Sequence, residues 1–239
     1  GDTIEGQTAT INGDVVLTYE DGTQKSLKQS DVKFLNKPDT WLTSQKIWMQ
    51  WHGCEFSVTV NAVPKKVADL RDGISLQQTK YKASNKVIKK LALICRRAAG
   101  DDLEANSYEI ALMLNRYEAY GNSDATGQGL LDYVLTSGYW GDAEGIESSI
   151  KDKGENDGID AVIRDAVCNG YRRLPSYVDE RLPNAVESVQ SSSGDDDIQL
   201  ETTMVRTSSG KSLYLYVEKS GNMYCSSSQL DNNTQEDDE

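Results

Sequence analysis

Of the side chains that carry most enzyme chemistry, this 239-residue chain is rich in some and nearly empty of others. It has 38 Asp and Glu, 12 Tyr and 4 Trp, against one histidine (His52) and four cysteines. A Ser-His-Asp or Cys-His mechanism would have to run through His52, which sits in strand-like sequence far from any nucleophile signature. Cys54, Cys95, Cys168 and Cys225 form no CxxC pair, and one histidine does not make a zinc site of the usual spacing. No Walker loop occurs, and no GxGxxG follows a strand. Neither a metal nor a cofactor is therefore expected. Carboxylate chemistry beside amphipathic aromatics is what remains. With only two phenylalanines in the chain, that mixture suits sugar rings, which stack on aromatic faces and need polar partners for their hydroxyls. Tyrosines equally fill ordinary cores and interfaces.

Where such carboxylates could act depends on the elements that hold them. Residues 91–102 read LALICRRAAGDD, an apolar helical run closing in two arginines, two alanines, a glycine and two aspartates. Val87, Leu91, Ile94, Cys95 and Ala98 follow the spacing of one helix face, and Gly100 stops the helix. A side chain at position 98 thus points to the interior or to a cleft wall. A second helix, about 103–120, contains SYEIALMLNRYEAY, apolar on most sides and so central. A third covers 127–138, GQGLLDYVLTSG. The run DGIDAVIRDAVCNGYRRLP supplies a later helix ending near Asn169-Gly170, and Pro175 prevents its extension. Cys95 and Cys168 fall within helical apolar patterns and read as buried free thiols, while a Cys54–Cys225 disulfide stays open.

Strand signals flank the helices. Residues 7–36 carry Asn12-Gly13 and Asp21-Gly22, the strongest short hairpin signals. In KIWMQWHGCEFSVTVNAV, residues 46–63, Phe56, Val58 and Val60 alternate with polar residues. Residues 1–63 are expected to form a small β module of SH3-like size, and 64–84 a polar connection. Near the other end, TTMVRTSSGKSLYLYVEKSGNMYC gives two strands around Ser209-Gly210, with Leu213, Leu215 and Val217 alternating against Tyr214 and Tyr216. Residues 227–239 read as an acidic disordered tail. The fold class is α+β.

The net charge is −13, from 25 basic and 38 acidic residues. Nucleic-acid phosphates would be repelled over most of the surface, so no nucleic-acid partner is expected. Part of the excess is local, in GDDDIQLE and NTQEDDE, which read as solvated loop and tail. No apolar run reaches the ~18 residues of a membrane helix, and no signal-peptide pattern opens the chain.

Three segments carry a resemblance: KLALICRRAAGDDLEANSYEIALMLNRYEAYGNS, LLDYVLTSGYWG and AVIRDAVCNGYRRLPSYVDE. They resemble the catalytic domain of phage-tail-associated and spore-cortex cell wall hydrolases, over about residues 85–226. Its most specific pieces are the helix running into LNRYE and the LPSYVDE segment at 174–180. Residues before 64 lie outside it. The resemblance implies a lysozyme-like, mainly helical domain with a C-terminal β-hairpin, cutting the glycan strand of peptidoglycan as a muramidase or lytic transglycosylase, without a cofactor. It implies a place in a phage tail, or as a secreted protein, acting on the bacterial wall. Partners would be glycan strands and, through the β module, other tail subunits. The alternative is a non-catalytic virion structural or adhesion protein that binds wall glycan.

The family places its general-acid glutamate just before the short xG that ends the first helix. Aligned on Gly100, that is position 98, where this chain has alanine. Three explanations stand side by side: a Glu→Ala replacement, a natural loss leaving a glycan-binding pseudoenzyme, or an acid supplied instead by Asp101, Asp102 or Glu104. A carboxyl group on an apolar face at a helix C-terminus resists ionisation, as protonating a leaving oxygen requires. Arg96 and Arg97 oppose this only if they turn inward. Glu180 or Asp179, beside Tyr177, is a second carboxylate or a hydrogen-bonding corner. Tyr117 and Glu118 flank the cleft, or else are core and surface. Tyr139 and Trp140, on a glycine-bracketed loop, are placed to stack on sugar, and Asn115 and Arg116 to tie helices together. With Ala98 the chain is expected to bind glycan and turn it over poorly, since loss of a general acid costs ~10²–10⁴-fold.

Overall fold

The computed structural model describes residues 3–9, 15–42, 44–72, 74, 79–122, 124–183, 186–192, 202–207 and 210–227. Asn12-Gly13, Ser209, the GDDDIQLE stretch and the chain after Ser227 lie outside them. The protein is α+β and divides into two compact units, Gly1–Asp69 and Leu70–Glu239.

The first unit is built from hairpins. Strands β1 (Val15–Thr18) and β2 (Gln24–Leu27) pair antiparallel. Asp21-Gly22 turns the chain between them, with Gly22 at φ 81°, as the sequence anticipates. The 46–63 segment is a second hairpin, β4 (Ser44–Trp51) and β5 (Cys54–Asn61), with β3 (Lys33–Phe34) on the far side of β4. Its two-residue turn is His52-Gly53, at φ 48° and 81°, the left-handed pair that a tight hairpin requires. Leu27, Val32, Trp41, Ile47 and Met49 form the core. The connection expected at 64–84 is not merely polar linker. It contains helix α1 (Lys65–Asp69), and further on Arg71 pairs with buried Asp165 while Tyr81 is buried in the second unit's core.

In the second unit α2 (Asn85–Ala99) begins at Ser84, whose side chain caps the Val87 N–H, and ends at Gly100, φ 65°. Helix α3 (Leu103–Ala119) starts at the Asp102 cap and is buried nearly all round, because it meets helices on one side and sheet on the other. α4 (Gly127–Thr136), α5 (Ala143–Ile150) and α6 (Asp157–Arg164) complete the helical layer. α6 runs into a π-helical turn, Asp165–Asn169, closed by left-handed Gly170. The core gathers Ile88, Leu91, Ile94 and Cys95 of α2 with Ile110, Met113 and Leu114 of α3 and Leu130, Ile146 and Ile163 of the others.

The closing β-structure is larger than the expected hairpin. Five antiparallel strands lie in the order β6-β10-β9-β8-β7: β6 (Glu180–Pro183), β7 (Val186–Ser192), β8 (Thr202–Thr207), β9 (Ser212–Lys219) and β10 (Asn222–Ser226). Tyr224 of β10 stands opposite Arg181 of β6. A second core joins α3 to this sheet through Tyr108, Ala111, Leu112, Leu174, Val178 and Tyr224.

Candidate functional site

The end of α2 opens onto a pocket of about 260 Å³ lined by Ile94, Arg97, Ala98, Trp140, Arg181 and Asn222. Three elements converge there. The last turn of α2 brings Ile94, Arg97 and Ala98; the loop after α4 brings Trp140; strands β6 and β10 bring Arg181 and Asn222. Ala98 is half-buried on the pocket wall, whereas its neighbour Ala99 is sealed in the interior. Asn222 is itself buried and donates from Nδ2 to the Ala98 carbonyl at 3.2 Å, fastening the helix end to the sheet.

Behind the pocket lies a residue that sequence reasoning missed. Glu109 of α3 is fully buried, and its carboxylate accepts from Trp140 Nε1 at 2.8 Å, Arg181 Nη1 at 3.1 Å and Tyr224 OH at 3.3 Å. Burial pushes its pKa up; the Arg181 charge and the hydrogen bonds from Trp140, Tyr224 and Arg181 pull against that without cancelling it. Glu109 thereby holds two of the pocket walls. The available signal was a lone carboxylate inside SYEIALMLN, a run otherwise too apolar to face water.

Arg97 does turn toward the pocket. It donates from Nη1 to the Trp140 carbonyl at 3.1 Å and lies against Gly141, where a Cβ would stand 3.4 Å from Nη1. No carboxylate among the described residues pairs with it. Arg96, by contrast, is bound to Asp101. The candidate replacement acids are all committed elsewhere. Asp102 caps α3 through Ala105 N–H, Asp101 holds Arg96, and Glu104 pairs with Arg173 and Lys219. None lines the pocket.

The remaining expected residues separate. Trp140 is only 6% exposed and Tyr139 mostly buried, so neither offers a free face to a sugar. Gly138 and Gly141, at φ 72° and 112°, let the loop fold both rings inward. Tyr139 is fixed by its OH accepting from Arg181 N–H at 2.7 Å and by the Arg116 guanidinium 3.7 Å from its ring centre. Tyr117 is core, donating to the Asp124 carbonyl and packed between Tyr81 and Tyr133. Glu118 is locked in a two-bond ion pair with buried Arg172, both at 2.7 Å, and takes a third hydrogen bond from Tyr81 OH at 2.6 Å. Burial acts to raise its pKa, but the Arg172 and Tyr81 hydrogen bonds and the Arg172 charge outweigh that and lower it.

Glu180 faces Lys211 at 2.9 Å and Arg116 at 3.5 Å, outside the pocket lining. Asp179 forms the hydrogen-bonding corner, accepting from Ser227 N–H and hydroxyl. Tyr177 is 44% exposed, edge-on to exposed Tyr216. Asn115 and Arg116 tie α3 to the 175–179 segment, bonding the carbonyls of Pro175, Val178 and Asp179. All four cysteines are free thiols, with Cys54 exposed and Cys225 buried. Burial raises the thiol pKa of Cys95 and Cys168. Among the described residues no cluster of His, Cys, Asp and Glu could hold a metal ion, and no helix is long and apolar enough to cross a membrane. Comparison with protein-family models, with curated proteins and with solved structures finds no match to this chain.

Proposed function

We propose that the second unit is the glycan-binding cleft of a lysozyme-like peptidoglycan glycosidase, a muramidase or lytic transglycosylase, with alanine at the position of its general acid. It would act on the bacterial wall from a phage tail or as a secreted protein, with the β unit docking to other tail subunits. One observation carries the reading: Ala98 lines the wall of a pocket formed where a helix end, a loop and two sheet strands meet. A methyl group there occupies the place from which a carboxyl group could reach a bound ligand. Enclosed pockets with a few convergent polar groups are the usual sites of small-ligand binding. Position 98 is apolar on the Ile94 side and positive on the Arg97 and Arg181 side.

A second reading is favoured by the lack of any carboxylate among the described residues of the pocket lining. With Glu109 engaged by three donors, no carboxylic acid among the described lining residues is placed to deliver a proton, and on this reading the chain binds glycan without cutting it, as an adhesion protein does. Clearing of turbid suspensions of purified bacterial walls distinguishes the two. Restored lysis by Ala98→Glu, with none by the unaltered chain, is the expected result. If both proteins sediment with walls and neither clears them, adhesion is the function. If neither sediments with walls, both readings fall.

A further inference from the structure

We propose that the pocket at the end of α2 is a carboxylate-recognition subsite, in which Arg97, assisted by Arg181, binds an anionic substituent of the ligand. The inference deepens the glycan reading and rests on it for the identity of the ligand's ring. It specifies an acidic amino sugar rather than a neutral one.

The argument begins with charge. The chain carries −13 overall, yet the six residues lining this pocket include two arginines and no acid. Arg181 is partly compensated, since Glu109 takes one of its N–H groups; its buried Nε has no partner. Arg97 is different. Its one partner is the neutral Trp140 carbonyl on Nη1, which leaves Nε, Nη2 and a full positive charge unmatched among the described residues. That single bond, and the close approach allowed by Gly141, hold the guanidinium of the exposed Arg97 beside the pocket. A planar guanidinium with adjacent free N–H groups matches a carboxylate in two parallel hydrogen bonds.

The remaining lining fits the rest of such a ligand. The half-buried Ala98 methyl presents apolar surface to a short alkyl arm, with buried Ile94 behind it and Asn222 and Trp140 closing the wall. At about 260 Å³ the pocket falls near the lower end of the ~300–1,000 Å³ range of small-ligand sites, enough for one ring or one substituent rather than an oligosaccharide.

The test is a titration of the full chain followed by NMR, reading the Trp140 indole N–H and the methyl groups of Ile94 and Ala98. The probes are N-acetylmuramic acid, its neutral methyl ester, N-acetylglucosamine and D-lactate. The acid is expected to bind at least about tenfold more tightly than the ester, the effect of one charge-assisted pair. That margin should shrink with added salt and disappear in Arg97→Gln, whose exposed position leaves the fold intact. Equal affinity of acid and ester, or acid binding unchanged in Arg97→Gln, overturns the subsite while the glycan reading survives. Binding of D-lactate equal to that of N-acetylmuramic acid supports the subsite and removes the glycan reading. If no carboxylate moves these resonances, the subsite is refuted whatever the wall assay shows.

Discussion

Replacing Glu118 should destabilise the helical unit severely, and by an amount the geometry sets. The Arg172 side chain is 2% exposed, and Glu118 supplies both of its charge-bearing contacts, at 2.7 Å each. Its other hydrogen bond goes to the Thr79 carbonyl at 3.2 Å. Glu118→Ala would leave a buried guanidinium without a counter-charge and Tyr81 OH without its acceptor, a defect of about 3–5 kcal/mol. Glu118 itself is 30% exposed, so water can enter beside it and the lower end, about 3 kcal/mol, is expected. For a unit of this size that is a fall of roughly 6–12 °C in melting temperature. Glu118→Gln keeps the shape and loses the charge, costing about 1–2 kcal/mol. The pH dependence follows from the depressed pKa of Glu118 in the folded protein. A group whose folded pKa lies below its unfolded value contributes stability that is complete above the unfolded value, about 4.3 for Glu, and is lost as pH falls through the folded value. Urea unfolding of the native chain and of Glu118→Gln should therefore show a gap that is constant near pH 7 and narrows below about pH 4. A loss under about 1 kcal/mol for Glu118→Ala, far short of what an unpaired buried charge costs, or a gap independent of pH, would refute the reasoning.

Glu109 should behave in the opposite sense. Its pKa is raised by burial, so the advantage of the native chain over Glu109→Gln is largest at low pH and shrinks as pH rises from about 4 toward the folded value; unfolding at a series of pH values checks the sign. Glu109→Ala strands three buried donors and should cost about 3–5 kcal/mol. Gly127→Ala would bring a Cβ within 2.4 Å of Ala83 Cβ and 3.1 Å of Ala83 Cα. Since backbone must move, it should destabilise by about 1–3 kcal/mol in urea unfolding, and a stabilised variant would contradict that packing.

Strong local codes made much of the helical unit readable. The apolar face from Val87 to Cys95, the Gly100 stop and the all-round burial of α3 follow directly from spacing, and the structure matches them closely. α5 was not anticipated, because its eight residues carry only Ile146 and Ile150 as buried anchors within polar sequence. The five-stranded sheet was read as one hairpin, because pairing of β6 with β10 spans some forty residues and leaves no local mark. The site divides the same way. The helix period puts position 98 on the apolar face and Gly100 marks the helix end, but only the family resemblance, aligned on that glycine, singles it out as a site. Arg181, Asn222 and Glu109 were not found, because only the tertiary fold brings strands β6 and β10 onto the end of α2 and the middle of α3. Tyr139 and Trp140 illustrate a different miss. Flanking glycines signal an irregular backbone but do not say which way the rings turn, and here Glu109 and Arg116 draw them inward.

The two guanidiniums also change what a carboxyl group at position 98 would experience. Spacing alone gives it an apolar wall and a helix C-terminus, both of which favour the protonated form. The helix-terminus effect is about 0.3–1 kcal/mol, whereas a neighbouring guanidinium lowers a carboxyl pKa by about 1–3 units, each worth about 1.4 kcal/mol. Arg181 is partly offset by Glu109, so Arg97 weighs most in the balance, and without a bound anion it favours ionisation and an inactive acid. A ligand carboxylate seated on Arg97, as proposed for the subsite, would reverse this. It would neutralise the Arg97 charge and exclude water, leaving desolvation as the dominant influence. In Ala98→Glu, proton donation and the proposed recognition of an acidic sugar would then be coupled through a single side chain, since the anion bound to Arg97 would be what restores the proton to the neighbouring acid.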